Sequence, residues 1–336
     1  MASFYEAIKA KEQISNKLLE RKDILGIGVG YYNPSNPKDG AGIIVYSQEA
    51  TAFTVAATKS ITAKVNGKNI SVPIRVVKNE SFRPNNSTLP TNYKIRIRPV
   101  KAGYSIGTSQ ASGTAGIVVT NSKNNRLYVL SNNHVLNKNN QGSTDTIQPG
   151  GADGGKIASD KIGRVYQYVK LKKDNNYLDA AISIPLSNRL LSTKYAVIGT
   201  LKGHCVNYRI GDRFIKVGRT TGLVGGWVES INTDLKVNYG SYGGLGEVKF
   251  KNQTIIRSNM PISLPGDSGS VWIKYSNRYA AAVNYAGTAD GKLSVSFPVH
   301  WAMQVFKTSI PFARGSSLST NPLTDKELKV IKVLKK

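Results

Sequence analysis

The sequence predicts a mainly β protein: a β-barrel or sandwich body, preceded by a small α+β module and followed by a C-terminal helix. Three observations predict it. From about residue 95 onwards, short apolar runs alternate with glycine-rich breaks, the pattern of strands joined by tight turns. Residues 1–78 instead combine one amphipathic helix with a few strand-like runs. Between them, "NESFRPNNSTLPTN" (79–92) is polar, holds two prolines, and reads as the bulk of a linker over 79–94.

The elements follow in order. Over residues 3–22, Ser3 and Glu6 supply an S-x-x-E capping box, and Phe4, Ala7, Ile8, Ile14 and Leu18 fall near one helical face. "ILGIGVGYY" (24–32) and "AGIIVYS" (41–47) read as strands. "ITAKVNGKNISVPIRVV" reads as a hairpin, because Asn66-Gly67 tolerate the positive φ that both central positions of its turn require. Past the linker, the strand candidates are "YKIRIRPV", "AGIVVT", "RLYVLS", "AAISIP", "GWVESI", "EVKFK", "SVWIKY", "AAAVNYA" and "LSVSFP". Pro298–Lys307 reads as a helix. The basic tail 311–336 ends in a second one, "TDKELKVIKVLKK" (324–336), with a Thr324/Glu327 capping box.

Composition narrows the function classes. The chain has 336 residues, 40% of them hydrophobic and 20% charged, enough apolar surface for a packed core. Lys and Arg number 46 against 20 acidic residues, a net +26. That charge is spread along the chain, with no finger, RNA-binding consensus or arginine-rich block. A general attraction to acidic partners is therefore expected, and a specific nucleic-acid role is not. No run approaches the ~18 apolar residues of a spanning helix. The N-terminal stretch carries charges throughout, unlike a signal peptide, and Cys205 is the lone cysteine, so no intramolecular disulfide can form. Both favour the cytoplasm. Three scattered histidines and one cysteine show no metal-ligand spacing, and no cofactor is expected. "GIGVG" (26–30) lacks the third glycine and following helix of a dinucleotide fingerprint, and "VGRTTGLVGG" (217–226) lacks a P-loop lysine, leaving Arg219 and Thr221 as structural or cleft-rimming residues. Self-association is left open.

One stretch carries chemistry: "PISLPGDSGSVW" (261–272) presents Ser268 between glycines behind an aspartate. A serine hydroxyl needs a base, and the base needs an orienting acceptor. His134, in "YVLSNNHVLNKNN", sits directly after an apolar strand and before a polar loop. His204 adjoins Cys205 on a strand, where neighbours face opposite ways, and His300 opens a helix. Among the aspartates, Asp145, Asp153 and Asp160 lie in a glycine-rich solvated stretch and Asp174 in a turn. Asp179, in "YLDAAISIP", begins an apolar strand, where a buried carboxylate needs a partner. A turn-end aspartate bonding its own backbone is the plainer alternative.

"RIRPVKAGYSIG", "GTAGIVV", "SNNHVLN", "IQPGGADGG", "DAAI" and "VGRTTGLVGG", together with "PGDSGS", resemble the chymotrypsin-fold (trypsin-like) serine peptidases. They are most similar to a bacterial group of intracellular trypsin-like peptidases related to the plant narrow-leaf protein. The resemblance runs over about 95–310, and more weakly over the N-terminal module. It implies a double six-stranded β-barrel, with Ser268 as nucleophile, His134 as general base and acid, and Asp179 as orienting carboxylate. Backbone amides of Gly266 and Ser268 would form the oxyanion hole. Ile262 would lie at the base of the primary substrate pocket, and the strand 281–287, with Asn284, Tyr285 and Ala286, would wall it. An apolar or small side chain at the cleavage position follows. Asp267 is expected to be satisfied internally, without the freed N-terminus that activates digestive relatives. The partner implied is a protein or peptide substrate, and the alternative is a peptidase-like scaffold that grips peptides without cutting them.

Overall fold

Ser3 caps the first helix: its hydroxyl accepts from the Glu6 amide, and the Glu6 carboxylate accepts from the Ser3 amide. Two otherwise idle groups are thereby satisfied at the start of α1 (Phe4–Leu19). β1 (Ile24–Tyr31) and β2 (Ala41–Ser47) pair antiparallel, and β3 (Ser60–Val65) and β4 (Lys68–Lys78) form the hairpin at Asn66-Gly67, with φ of 50° and 81°. Ala7, Ala10 and Leu19 of α1 share a core with Ile24, Ile27, Ile43 and Val45. The computed structural model describes residues 1–48, 60–78, 82, 92–121, 126–142, 144–311 and 322–335; most of the expected linker lies outside the described residues.

Next come β5 (Val100–Ala102), β6 (Ser105–Thr108), β7 (Ala111–Thr114), β8 (Ile117–Thr120) and β9 (Leu127–Ser131), which runs into the short helix α2 (Asn133–Asn137). β10 (Asp145–Ile147), the single turn α3 (Ile157–Asp160), β11 (Lys161–Val169) and β12 (Ala181–Pro185) follow. All of these strands but β5 hydrogen-bond in the order β7-β6-β10-β11-β12-β9-β8. The ends of that path, β7 and β8, are separated only by Ala115 and Gly116, so the sheet has to curl towards itself. Ile106, Val129, Ile162 and Val165 fill it.

β13 (Leu191–Tyr195), β14 (Gly199–Thr200) and β15 (Gly203–His204) lead across to a second sheet. It holds β16 (Arg213–Gly218), β17 (Gly222–Asn238), β18 (Glu247–Arg257), β19 (Val271–Lys274), β20 (Tyr279–Gly287) and β21 (Leu293–Pro298). The ladder runs β16-β19-β20-β21-β18-β17, and β17 pairs back with β16, closing a ring. The long β17 also pairs with β1, Gly26 opposite Leu235, so the N-terminal layer continues the second sheet. α4 (Val299–Phe306), α5 (Asp325–Val330) and β22 (Val333–Lys335) end the chain.

Two expected elements differ. In "YKIRIRPV" only Val100 lies in a strand. The alternating arginines turn to partners instead, Arg96 to the Asp160 carboxylate and Arg98 to the Gln148 carbonyl. The last helix keeps its Thr324/Glu327 box but stops at Val330; Val333–Lys335 pairs with Gln167–Val169, the part of β11 that β10 does not reach. Among the described residues, no helix is long and apolar enough to cross a membrane.

Candidate active site

Of the polar residues singled out above, His134 and Asp179 are in direct contact. β9 delivers His134 on α2, and Asn132 Nδ2 donates to the Asp179 carbonyl at 2.6 Å, fixing the end of β9 to the segment two residues before β12. The Asp179 carboxylate is fully buried. Its Oδ1 accepts the His134 amide at 3.2 Å and its Oδ2 meets His134 Nδ1 at 2.5 Å. A burial this complete favours a hydrogen-bonded carboxylate over a solvated one, and the imidazole supplies the partner.

The other aspartates are engaged elsewhere. Asp145 pairs with Lys161, Asp160 with Arg96, and exposed Asp174 with Lys249. Asp153 departs from its expected solvated setting. Its side chain is only 3% exposed, held by Arg219 Nε at 2.7 Å and Ser105 Oγ at 2.6 Å.

Ser268 approaches from the second sheet. Its carbonyl accepts the Thr114 amide at 2.8 Å. A methyl group placed on Gly113 would lie 2.5 Å from the side chain of Val135, the neighbour of His134, and 2.9 Å from the Ser268 carbonyl oxygen, so these segments meet across a glycine that cannot be larger. The Ser268 hydroxyl donates to the Tyr285 carbonyl at 3.3 Å.

The loop before Ser268 is braced on every side. The Asp267 amide donates to Leu264, that of Gly269 to Asn284, and that of Ser270 to Asp267. The amides of Gly266 and Ser268 donate to no group among the described residues. Two idle backbone donors flanking one aspartate are what a developing oxyanion needs. Gly266 has φ +96°, and a Cβ there would lie 2.1 Å from Arg219 Nη1, so only glycine fits. Thr114 ties the parts together: its Oγ1 accepts the Arg219 amide and donates to the Gly266 carbonyl.

Asp267 is satisfied from within the chain. Oδ1 accepts the amides of Thr220 and Thr221 at 3.0 Å each, and Oδ2 accepts that of Leu264 at 2.9 Å. The Lys216 ammonium lies 3.6 Å away, with both side chains wholly buried. Lys216 also donates to Thr221 Oγ1 and sits 5.3 Å above the Trp272 ring. Burial pushes the Lys216 pKa down, and Asp267 opposes that shift.

No family model and no curated protein matches the chain. Solved structures similar to it include a glutamic acid specific serine protease described as using a novel histidine triad in substrate binding, at 18% identity over 63% of this chain and 100% of that one, TM-score 0.47. Nocardiopsis protease is similar at 20% identity over 62% of this chain and 97% of that one, TM-score 0.46. An alpha-lytic protease homolog is similar at 19% over 63% and 98%, TM-score 0.46. At such scores the likeness has no weight for function, which rests on the side chains.

The expected pocket residues are all inside. Ile262 packs in a cluster with Val228, Ile256 and Trp272. Asn284 spends its side chain on the loop: Nδ2 donates to the Asp267 carbonyl, and Oδ1 accepts from Ser263 and Ser294. Tyr285 and Ala286 are fully buried, and burial, then the Asp179 charge, pushes the Tyr285 hydroxyl well above its ordinary pKa. Of the other histidines, His204 is half-buried and His300 is packed against Trp301.

Three residues at this junction escape sequence reading. Tyr239, whose hydroxyl donates to Asp179 Oδ2 at 2.7 Å, sits in a glycine-rich turn that looks like surface. Lys216 lies in "RFIKVG", where a lysine reads as the outward residue of a strand. Asp153 is hidden in "GGADGG". No local pattern marks any of them, because each partner is remote in sequence.

Proposed function

We propose that this chain is a serine endopeptidase of the chymotrypsin-fold type, with Ser268, His134 and Asp179 as its triad. The observation that carries the reading is the buried Asp179 carboxylate bonded to His134 Nδ1, together with the idle amides of Gly266 and of Ser268 itself. Ser268 Oγ attacks the scissile carbonyl carbon while His134 Nε2 takes its proton; the carbonyl π electrons move onto oxygen, held by the Gly266 and Ser268 amides. Collapse expels the amine, which takes the proton back from the imidazolium and leaves an acyl-serine. Water, deprotonated by the same imidazole, then attacks that ester, and the proton returns to Ser268 as the acid leaves. Asp179 fixes the imidazole tautomer and offsets its transient charge. One oxyanion donor is worth about 3 kcal/mol of barrier.

The sequence motifs support the narrower kinship with bacterial intracellular trypsin-like peptidases. A reducing compartment such as the cytoplasm fits a lone cysteine, which here is buried. Ile262 at the pocket base supports a small or apolar residue at the cleavage position, and the +26 charge favours encounter with acidic polypeptides.

A second reading, a peptide-binding scaffold, has one observation in its favour: Ser268 is 1% exposed and its hydroxyl donates to the Tyr285 carbonyl. A fluorophosphonate probe separates the two. We expect one covalent adduct on Ser268 in the folded protein and none in Ser268→Ala; absence of the wild-type adduct under folded conditions would support the scaffold.

A further inference from the structure

We propose that Tyr239 is a positioning residue for the acid–base pair, holding Asp179 and His134 in register; this rests on the peptidase reading above. Three donors converge on the Asp179 carboxylate, the His134 amide on Oδ1 and both His134 Nδ1 and the Tyr239 hydroxyl on Oδ2. A carboxylate gripped at both oxygens cannot rotate about its Cβ–Cγ bond without breaking at least one bond. The Tyr239 ring also meets the imidazole edge-on, with centroids 5.8 Å apart and planes at 70°, so one side chain restrains both partners.

The hydroxyl stays a donor. Burial is the main cause that raises its pKa well above the ordinary tyrosine value, and the Asp179 charge adds to it. A phenol sharing Oδ2 with Nδ1–H spreads the carboxylate's negative charge over two donors, which moderates its pull on the imidazole proton.

The placement of Tyr239 is itself supported from both sides. It directly follows β17, its amide donates to the Gly246 carbonyl at 2.9 Å, and the Asn238 amide donates to Phe82 at 3.1 Å. Four residues earlier, Leu235 pairs with Gly26 of β1. At Asp234, Lys11 of α1 forms an ion pair at 3.0 Å, with both side chains at most 5% exposed. The N-terminal layer thus clamps the strand whose end reaches the triad, and holding that strand in place is the role that the geometry assigns to it.

Tyr239→Phe keeps the ring and removes only the donor. In the full-length chain we expect kcat against a peptide ester to fall about ten-fold or more with KM within about two-fold, since a hydrogen bond to a charged group is lost without touching substrate. The downfield proton resonance of the His134 Nδ1–H bond should shift or vanish, a change that a filler of the core would not produce. Unchanged kcat with an unchanged resonance would overturn the proposal, and if the thermal midpoint alone fell, the hydroxyl would be assigned to stability. The resonance needs no turnover: if the wild type fails to label with fluorophosphonate, the peptidase reading has failed while the shift between the two proteins still decides the role of Tyr239.

Discussion

Lys216 and Asp267 face each other across 3.6 Å, and neither side chain has any exposed surface. Removing one member of such a pair leaves an uncompensated charge in a low-dielectric interior, at a cost of about 3–5 kcal/mol. Three backbone amides also hold Asp267, and its neighbours on either side are the idle donors of Gly266 and Ser268. The pair therefore anchors the segment on which the proposed oxyanion hole depends. Gly218 makes room for it, since a Cβ there would lie 2.2 Å from Asp267 Oδ1.

Lys216→Met should lower the unfolding free energy by about 3 kcal/mol or more and reduce kcat more than it raises KM. Urea melts and steady-state kinetics on an ester substrate check both. A variant as stable and as active as the wild type would remove the anchoring role.

The same lysine gives a pH dependence of opposite sign for stability and for turnover. Its folded pKa lies below its unfolded one, so between the two the native state binds fewer protons and this group makes stability rise with pH. The ammonium that anchors Asp267 is lost over that same interval. Turnover should decline on the alkaline side before the ordinary lysine range, without a matching fall in thermal midpoint from this group. Activity that persists until the protein melts would exclude it.

Asp179→Asn should cost about 10³–10⁴ in kcat, because the neutral amide cannot offset the imidazolium charge and its NH2 sets a donor against the donors that now converge on one of the two carboxylate oxygens. Circular dichroism checks that the fold survives, and kinetics against the same variant at Asp153 or Asp174 tests the choice of acid. Turnover unaffected by Asp179→Asn but abolished by Asp174→Asn would move the assignment.

Cys205 is buried, and burial pushes its thiol up to about 12. Iodoacetamide at pH 8 should leave the folded protein unmodified and fully active, while denaturant exposes one thiol. Rapid alkylation with loss of activity would mean that the segment following β15 opens readily.

Much of the architecture is legible because its cause is local. The Asn66-Gly67 hairpin follows from two residues that tolerate positive φ, and the two capping boxes from side chains three apart. Asp179 is legible because a carboxylate at the start of an apolar strand is anomalous unless paired. Lys216 is not, since a lysine in a strand ordinarily faces water and only the remote Asp267 explains its burial. Tyr239 and Asp179 are likewise 60 residues apart. The final strand is not legible, because "KELKVIKVL" fits a helical face as well as it fits the end of β11 that β10 leaves unpaired; that end exists only once the sheet is built.

The pairing of Gly26 with Leu235 also sets an order of assembly. At ~5–20 residues per second, β17 emerges from the ribosome on the order of ten to forty seconds after β1. Until then one flank of β1 presents unpaired amides and carbonyls to any neighbouring nascent chain. The N-terminal layer, synthesised well before β17, is in this sense finished only after it, and crowded translation is a condition under which this protein is exposed to misassembly.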